Sequence, residues 1–69
     1  MPDPTELQRI RQAAGITQCE AAVRARVSPP LCRAYERLGP VAVIDDQKRA
    51  RLEAVYGALR IEAARRNAA

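Results

Sequence analysis

Two arginines, Arg33 and Arg37, are the residues whose type and spacing point most directly to chemistry. On a helix, side chains four residues apart project from the same face. A guanidinium is a planar fork of donors, and its commonest sequence-specific partner in double-stranded DNA is the edge of guanine. The pair therefore indicates a helix that could read bases in a major groove, with a plain solvated face as the alternative.

No other group of residues in the chain suggests catalysis. The sequence has no histidine, and its eight acidic residues fall at predicted helix starts or on polar helix faces. It also has no glycine-rich loop of the kind that binds phosphate. We expect no enzymatic activity, no metal and no other cofactor.

Cys19 and Cys32 are the only thiols in the sequence. They form no Cys-x-x-Cys pair, and two cysteines in a chain without a secretory signal argue against a disulfide framework. Both are predicted to be buried as small apolar residues.

The composition fits one small helical domain over residues 1–69. Aromatic residues make up 3% of the chain, so the core must come mainly from Ala and aliphatic side chains, which favour helix. The net charge of +4 and the pI near 9.8 are compatible with binding a polyanion. No apolar run could span a membrane, and the N-terminus lacks a hydrophobic targeting core. A cytoplasmic, nucleoid-associated protein without a membrane partner is expected.

Local start signals predict the first two helices. Asp3, followed by Pro4, can cap a helix over about Pro4–Ala14. Thr17 and Glu20 form a capping box that begins a second helix at Gln18, which ends near Ala25. The buried face of the second helix is predicted from Ala21, Ala22 and Ala25, with Val23 partly covered.

Similar signals predict two further helices. Ser28 or Pro29 caps a third helix, which Gly39-Pro40 terminates after Leu38. Asp45 or Asp46 caps a fourth helix over about residues 46–66. Inward-facing residues are predicted to be Leu31, Cys32, Tyr35 and Leu38 in the third helix and Leu52, Val55, Tyr56, Leu59 and Ala63 in the fourth. The fold class is therefore an all-α bundle of four helices, with a fifth as an alternative.

In their order, residues 7–39 resemble the λ-repressor-like, or XRE-type, family of helix-turn-helix proteins. The matching residues are Leu7, Ile10, Arg11, Ala14, Gly15, Ile16, Thr17, Gln18, Ala21, Ala22, Val27, Ser28, Tyr35, Glu36, Arg37 and Gly39. The resemblance implies a helix-turn-helix over about residues 17–38 that binds double-stranded DNA. It also implies that Arg11 and Glu36 form a buried ion pair between the first and third helices.

The resemblance assigns the third helix to the major groove. The base-contacting residues it implies are Ser28, Pro29, Pro30, Arg33 and Arg37. Phosphate contacts are expected from Thr17, Gln18, Arg24, Arg26 and Lys48. The chain departs from the family pattern at two places. Arg26 occupies a turn position usually held by Gly, and the two prolines cannot donate hydrogen bonds to bases.

Two segments are candidates for self-association. The apolar run Val41-Ala42-Val43-Ile44 is predicted either to pack as a loop under the fourth helix or to contact a second chain. The end of the fourth helix, Leu59 to Ala64, has more apolar residues than a single small domain needs. The predicted dimer contacts are Val41, Val43, Tyr56, Leu59 and Ile61.

Together these features predict a transcriptional repressor that binds an inverted-repeat operator as a homodimer, without a small-molecule effector. Very short proteins of this kind resemble regulators of phages and mobile elements, including repressors encoded beside anti-CRISPR genes. Two alternatives are an antitoxin of a toxin–antitoxin pair and a protein-interaction module that has lost DNA binding. An apolar patch left open near residues 41–44 or 59–64 would favour the antitoxin.

Overall fold

Four α-helices and one 3₁₀ turn make up the fold in a computed structural model, which describes residues 4–68 and, of these, the side chains of residues 6–67. The elements are α1 (Pro4–Ala13), α2 (Gln18–Ala25), α3 (Pro29–Leu38), the 3₁₀ turn (Pro40–Ala42) and α4 (Asp46–Ala68). Residues 4–68 include no β-strand. The predicted all-α bundle of four helices is confirmed, and the fifth element is only the short 3₁₀ turn. The predicted cap at Asp3 lies outside the described residues.

Side-chain caps begin three of the helices. The Thr17 hydroxyl accepts from the Glu20 amide at 3.1 Å, as the capping box predicts. The Ser28 hydroxyl accepts from the Leu31 amide at 3.3 Å, so Ser28 rather than Pro29 is the cap of α3. At α4 the Asp45 carboxylate accepts from the Lys48 amide at 2.9 Å, which makes Asp45 the cap.

One hydrophobic core joins the four helices. The alanines of α2 predicted to be buried have no exposed surface, which allows neighbouring helices to pack closely against it. The buried apolar residues are Leu7, Ile10, Ala14, Ala21, Ala22, Ala25, Cys32, Tyr35, Val43, Leu52, Tyr56, Leu59 and Ala63. Three inward predictions are wrong, because Cys19, Val23 and Leu38 are exposed. Cys19 and Val23 lie outside the buried alanine face of α2, and Leu38 is the last residue of α3.

Three of the predicted dimer contacts belong to this core. Val43, Tyr56 and Leu59 are each at most 3% exposed within the single chain, so their side chains cannot reach a second copy. Of the segment predicted to have more apolar residues than a single domain needs, Leu59 and Ala63 complete the monomer core, whereas Ile61 and Ala64 are exposed. Val41 and Ile61 are exposed and stay predictions.

Arginine side chains satisfy main-chain carbonyls where helices end or connect. Helix termini leave carbonyl groups without intrahelical partners, and a guanidinium can supply the missing donors. The donor–acceptor pairs are Arg11 to Ile16 (2.9 Å), Arg49 to Val43 (2.9 Å), Arg51 to Ala25 (2.9 Å) and Arg66 to Ala14 (3.1 Å). Three of these arginines come from α4. Their hydrogen bonds connect α4 to the end of α2, to the residue after α1 and to the residue after the 3₁₀ turn. Among the helices of residues 4–68, none is long and apolar enough to cross a membrane.

Candidate nucleic-acid interface

A three-residue turn, Arg26 to Ser28, joins α2 to α3. Arg26 has φ 58° and ψ 44°, a left-handed conformation, and its amide bonds back to the end of α2. The Val27 amide also donates to the Ala22 carbonyl at 3.0 Å. Arg26, which stands at a turn position usually held by Gly, is therefore in the left-handed conformation, and for a non-glycine residue this costs about 1–2 kcal/mol relative to the right-handed one.

The outer face of α3 carries all five residues predicted to contact bases. Ser28, Pro29, Pro30, Arg33 and Arg37 are all exposed. The Arg33 guanidinium lies 3.5 Å from the side-chain oxygen of Gln18, which places it beside the start of α2. This face can therefore present two arginine forks and two pyrrolidine rings to one ligand.

The first turn of α3 offers no main-chain donor to a ligand. Pro29 and Pro30 have no amide hydrogen. The Leu31 amide is bonded to the Ser28 hydroxyl, and the Cys32 amide is bonded to the Ser28 carbonyl at 3.0 Å. A phosphate therefore has no amide to accept from at this turn, and the pyrrolidine rings suit apolar contact, such as with a thymine methyl group.

The residues predicted to contact phosphates are arranged less uniformly. Thr17, Arg24 and Arg26 are exposed on α2 and its turn, and Arg24 lies 3.5 Å from Glu20 in a surface ion pair. Lys48 is also exposed but belongs to the first turn of α4. Arg24 and Arg26 therefore lie on the helix and turn that precede α3, whereas Lys48 lies on a different helix, α4.

All four helices meet at the carboxylate of Glu36, in α3. The Arg11 guanidinium of α1 donates to it through Nε at 2.5 Å and through a second nitrogen at 3.4 Å, which is the predicted ion pair. Gln18 of α2 donates through Nε2 at 3.0 Å, and the Tyr56 hydroxyl of α4 also donates to this carboxylate. Glu36 is 4% exposed and Arg11 8%, so this is a charge pair held inside the protein.

Gln18 therefore connects the core to the outer face of α3. Its amide nitrogen is directed at Glu36, while its oxygen is the atom near Arg33. The sequence resemblance assigned Gln18 to a phosphate, but here its donor group faces inward. The contact with Arg33 is one that sequence reasoning did not find.

The contact of Tyr56 with the Glu36 carboxylate is the other one that sequence reasoning missed. The Tyr56 hydroxyl lies 3.4 Å from the Cys32 thiol, and the Tyr56 ring centroid is 5.3 Å from that of Tyr35. Burial, followed by the contacts with Cys32 and Glu36, raises the pKa of Tyr56 above its usual 10.0. Burial also raises the pKa of Cys32. The sequence did offer one signal for this contact. Tyr56 lies on the predicted buried stripe of the fourth helix, and a buried tyrosine hydroxyl requires a hydrogen-bond partner.

A groove of about 470 Å³ lies on the side of the molecule formed by α1, the end of α3 and α4. Its lining residues are Leu7, Tyr35, Pro40, Arg49, Glu53, Tyr56, Gly57 and Arg60. Within residues 4–68, no group of three or more His, Cys, Asp or Glu side chains is placed to hold a metal ion. Comparison with known protein families, curated proteins and solved structures finds no match to this chain.

Proposed function

We propose that this chain is a transcriptional repressor of the λ-repressor-like kind, which binds double-stranded DNA as a homodimer on an inverted repeat. The observation that carries the proposal is the exposed face of α3, where Arg33 and Arg37 project together one turn apart. The preceding helix and a short turn hold this face away from the core, as a recognition helix requires.

In this proposal α3 enters the major groove. Arg33 and Arg37 donate to guanine edges, while Pro29 and Pro30 lie against thymine methyl groups. Thr17, Arg24, Arg26 and Lys48 contact phosphates and fix the orientation of the domain. Gln18 supports Arg33 from the start of α2.

Repression would follow from occupancy of a promoter, which needs only DNA and a second copy of the chain. We place this activity in the cytoplasm, on the nucleoid, and propose that the regulated promoter is the chain's own. Two half-sites about one helical turn apart would match a two-fold symmetric dimer.

The test is a gel-shift titration on the duplex upstream of the chain's own gene, with a scrambled duplex of equal length as the control. Tight binding to the upstream duplex alone, weakening steeply as salt is raised, is the expected result. Equal and weak binding to both duplexes would contradict the proposal.

Arg33→Ala tests the recognition face directly. It should weaken specific binding by about 1–3 kcal/mol, because one arginine–base contact is lost, while the fold survives. Arg9→Ala, which removes an exposed arginine on α1, is the matched control and should change operator affinity little. Equal operator affinity for the two variants would remove Arg33 from the interface.

An antitoxin is the second candidate function, and one observation favours it. Val41 is 84% exposed and Ile44 is 93% exposed, on either side of the buried Val43. Exposed aliphatic residues of this kind suit a protein partner. If the neighbouring gene encodes a toxin, wild-type protein should protect cells from it and Val41→Ser/Ile44→Ser should not. Equal protection by both proteins would reject these residues as the toxin contact.

A further inference from the structure

Helix α4 has two apolar faces, and only one of them is buried. The first contains Leu52, Tyr56, Leu59 and Ala63 and completes the core. The second consists of Ala50, Ala54, Gly57, Ile61 and Ala64, all of which are exposed. Its members are separated alternately by four and three residues, which is the spacing of a coiled-coil seam. We call this second face the α4 seam.

We propose that the α4 seam packs against the α4 seam of a second copy, with the two helices antiparallel. The proposal rests on the homodimer of the proposed function and specifies its contact surface. Tyr56 and Leu59, which were predicted as dimer contacts, are buried and are not part of the proposed surface. Ile61 is the one residue of the α4 seam that was among the predicted dimer contacts. An isologous contact of this kind closes on itself as a two-fold dimer.

The side chains of the α4 seam suit close approach of two helices. A Cβ atom built on Gly57 would meet nothing within 4 Å, so the surface above this residue is open. In an antiparallel pair, Ala54 of each helix faces Gly57 of the other, and Ala50 faces Ile61. Ile61, which is 58% exposed in the single chain, then packs against an alanine instead of water.

The charged residues beside the α4 seam favour the antiparallel arrangement of the two helices over the parallel one. Glu53 and Arg60 each precede a seam residue by one position and are both exposed. With the helices antiparallel, Glu53 of each copy lies opposite Arg60 of the other, which gives two ion pairs. With the helices parallel, Arg60 would instead lie opposite Arg65, and like charges would repel.

These two charged residues also border the groove that opens beside Gly57. Arg60 lies 3.4 Å from Glu6 on the surface of its own chain, with its side chain 54% exposed. An exposed ion pair of this geometry is weak. Its guanidinium can therefore turn toward the Glu53 of a second copy at small cost.

The experiment is a charge exchange read by sedimentation equilibrium on the full chain without DNA. Wild type should dimerise, and Glu53→Arg alone or Arg60→Glu alone should weaken the dimer by about tenfold or more, because each places like charges opposite each other twice. Mixing the two single variants should restore dimerisation, since the mixed pair has two attractive contacts. Glu62→Arg makes the same charge change outside the α4 seam and should leave the dimer as in wild type.

Far-UV circular dichroism of each variant controls for folding, since all three positions are exposed. The proposal is overturned if wild type is a monomer, if neither single variant weakens the dimer, or if mixing does not restore it. A dimer through this seam that binds no duplex specifically would leave the inference standing and reject the proposed function. Specific DNA binding by a dimer whose stability is unchanged by the charge substitutions would support the proposed function and reject the α4 seam as the dimer contact.

Discussion

Replacing Glu36 by alanine should remove much of the stability of this fold. The carboxylate accepts hydrogen bonds from Arg11, Gln18 and Tyr56, so the substitution affects one donor from each of the other three helices. These donors do not lose equally. Gln18 is only partly buried and can turn to water, and Tyr56 keeps the Cys32 sulfur at 3.4 Å.

The buried charge of Arg11 therefore determines how much stability the Glu36→Ala substitution removes. Arg11 is 8% exposed, and without Glu36 its charge would be buried with only the Ile16 carbonyl as a partner. Removing one member of a buried ion pair costs about 3–5 kcal/mol. A domain of this size has roughly 3–10 kcal/mol of total stability. The loss corresponds to a fall in Tm on the order of 20 °C.

The assay is urea denaturation followed by circular dichroism, with Glu20→Ala as the control. Glu20 pairs with Arg24 on the surface and lies in the first turn of α2, and losing both effects should cost at most about 1 kcal/mol. Arg11→Met/Glu36→Met should recover much of the lost stability, because no buried charge is then left unpaired. Equal midpoints for Glu36→Ala and Glu20→Ala would refute the reasoning.

Three further predictions concern single groups. Arg26→Gly should raise stability by up to about 1 kcal/mol, because glycine adopts the left-handed turn without strain, and a lower urea midpoint would contradict this. The Lys48 amide lowers the pKa of Asp45 below its usual 3.8, so its stabilising effect is present above pH 3.8 and is lost as pH falls through the folded-state value. Carbon NMR of the Asp45 carboxyl should give that lower pKa, and a value at or above 3.8 would reject the cap. Because Tyr56 and Tyr35 have raised pKa values, their contribution is present below pH 10 and is lost as pH rises above it, so absorbance at 295 nm should show tyrosinate only on alkaline unfolding.

The helix boundaries were predictable because their causes are local. Thr17 and Ser28 each cap the amide three residues ahead, so four consecutive residues contain the whole signal. The same locality explains why Gln18 was correctly placed as the first residue of α2. The two consecutive prolines left the start of α3 open between Pro29 and Pro30, and the structure has Pro29 as its first residue. The Arg11–Glu36 pair is not local, and it was found only through the family resemblance.

The errors lie where sequence spacing leaves two choices. Helix α4 has two apolar faces, and periodicity alone does not say which one meets the core. Tyr56 and Leu59 were assigned to both the core and a dimer contact, and their burial decides for the core. Cys19 was predicted to be buried from its residue type alone, and it lies outside the Ala21, Ala22 and Ala25 stripe of α2. Leu38 is the last residue of α3 and is 59% exposed.

The arginines that hold the helix ends also change what the basic composition means. The chain has 12 Lys and Arg residues, but Arg11, Arg49, Arg51 and Arg66 are directed at main-chain carbonyls of the fold. Their charges still contribute to the long-range field that attracts a polyanion, so they can speed its approach. Each of them already uses a guanidinium donor within the fold, and none of the four is among the residues proposed to contact phosphates. The isoelectric point therefore overstates the number of cations available for direct contact with phosphates.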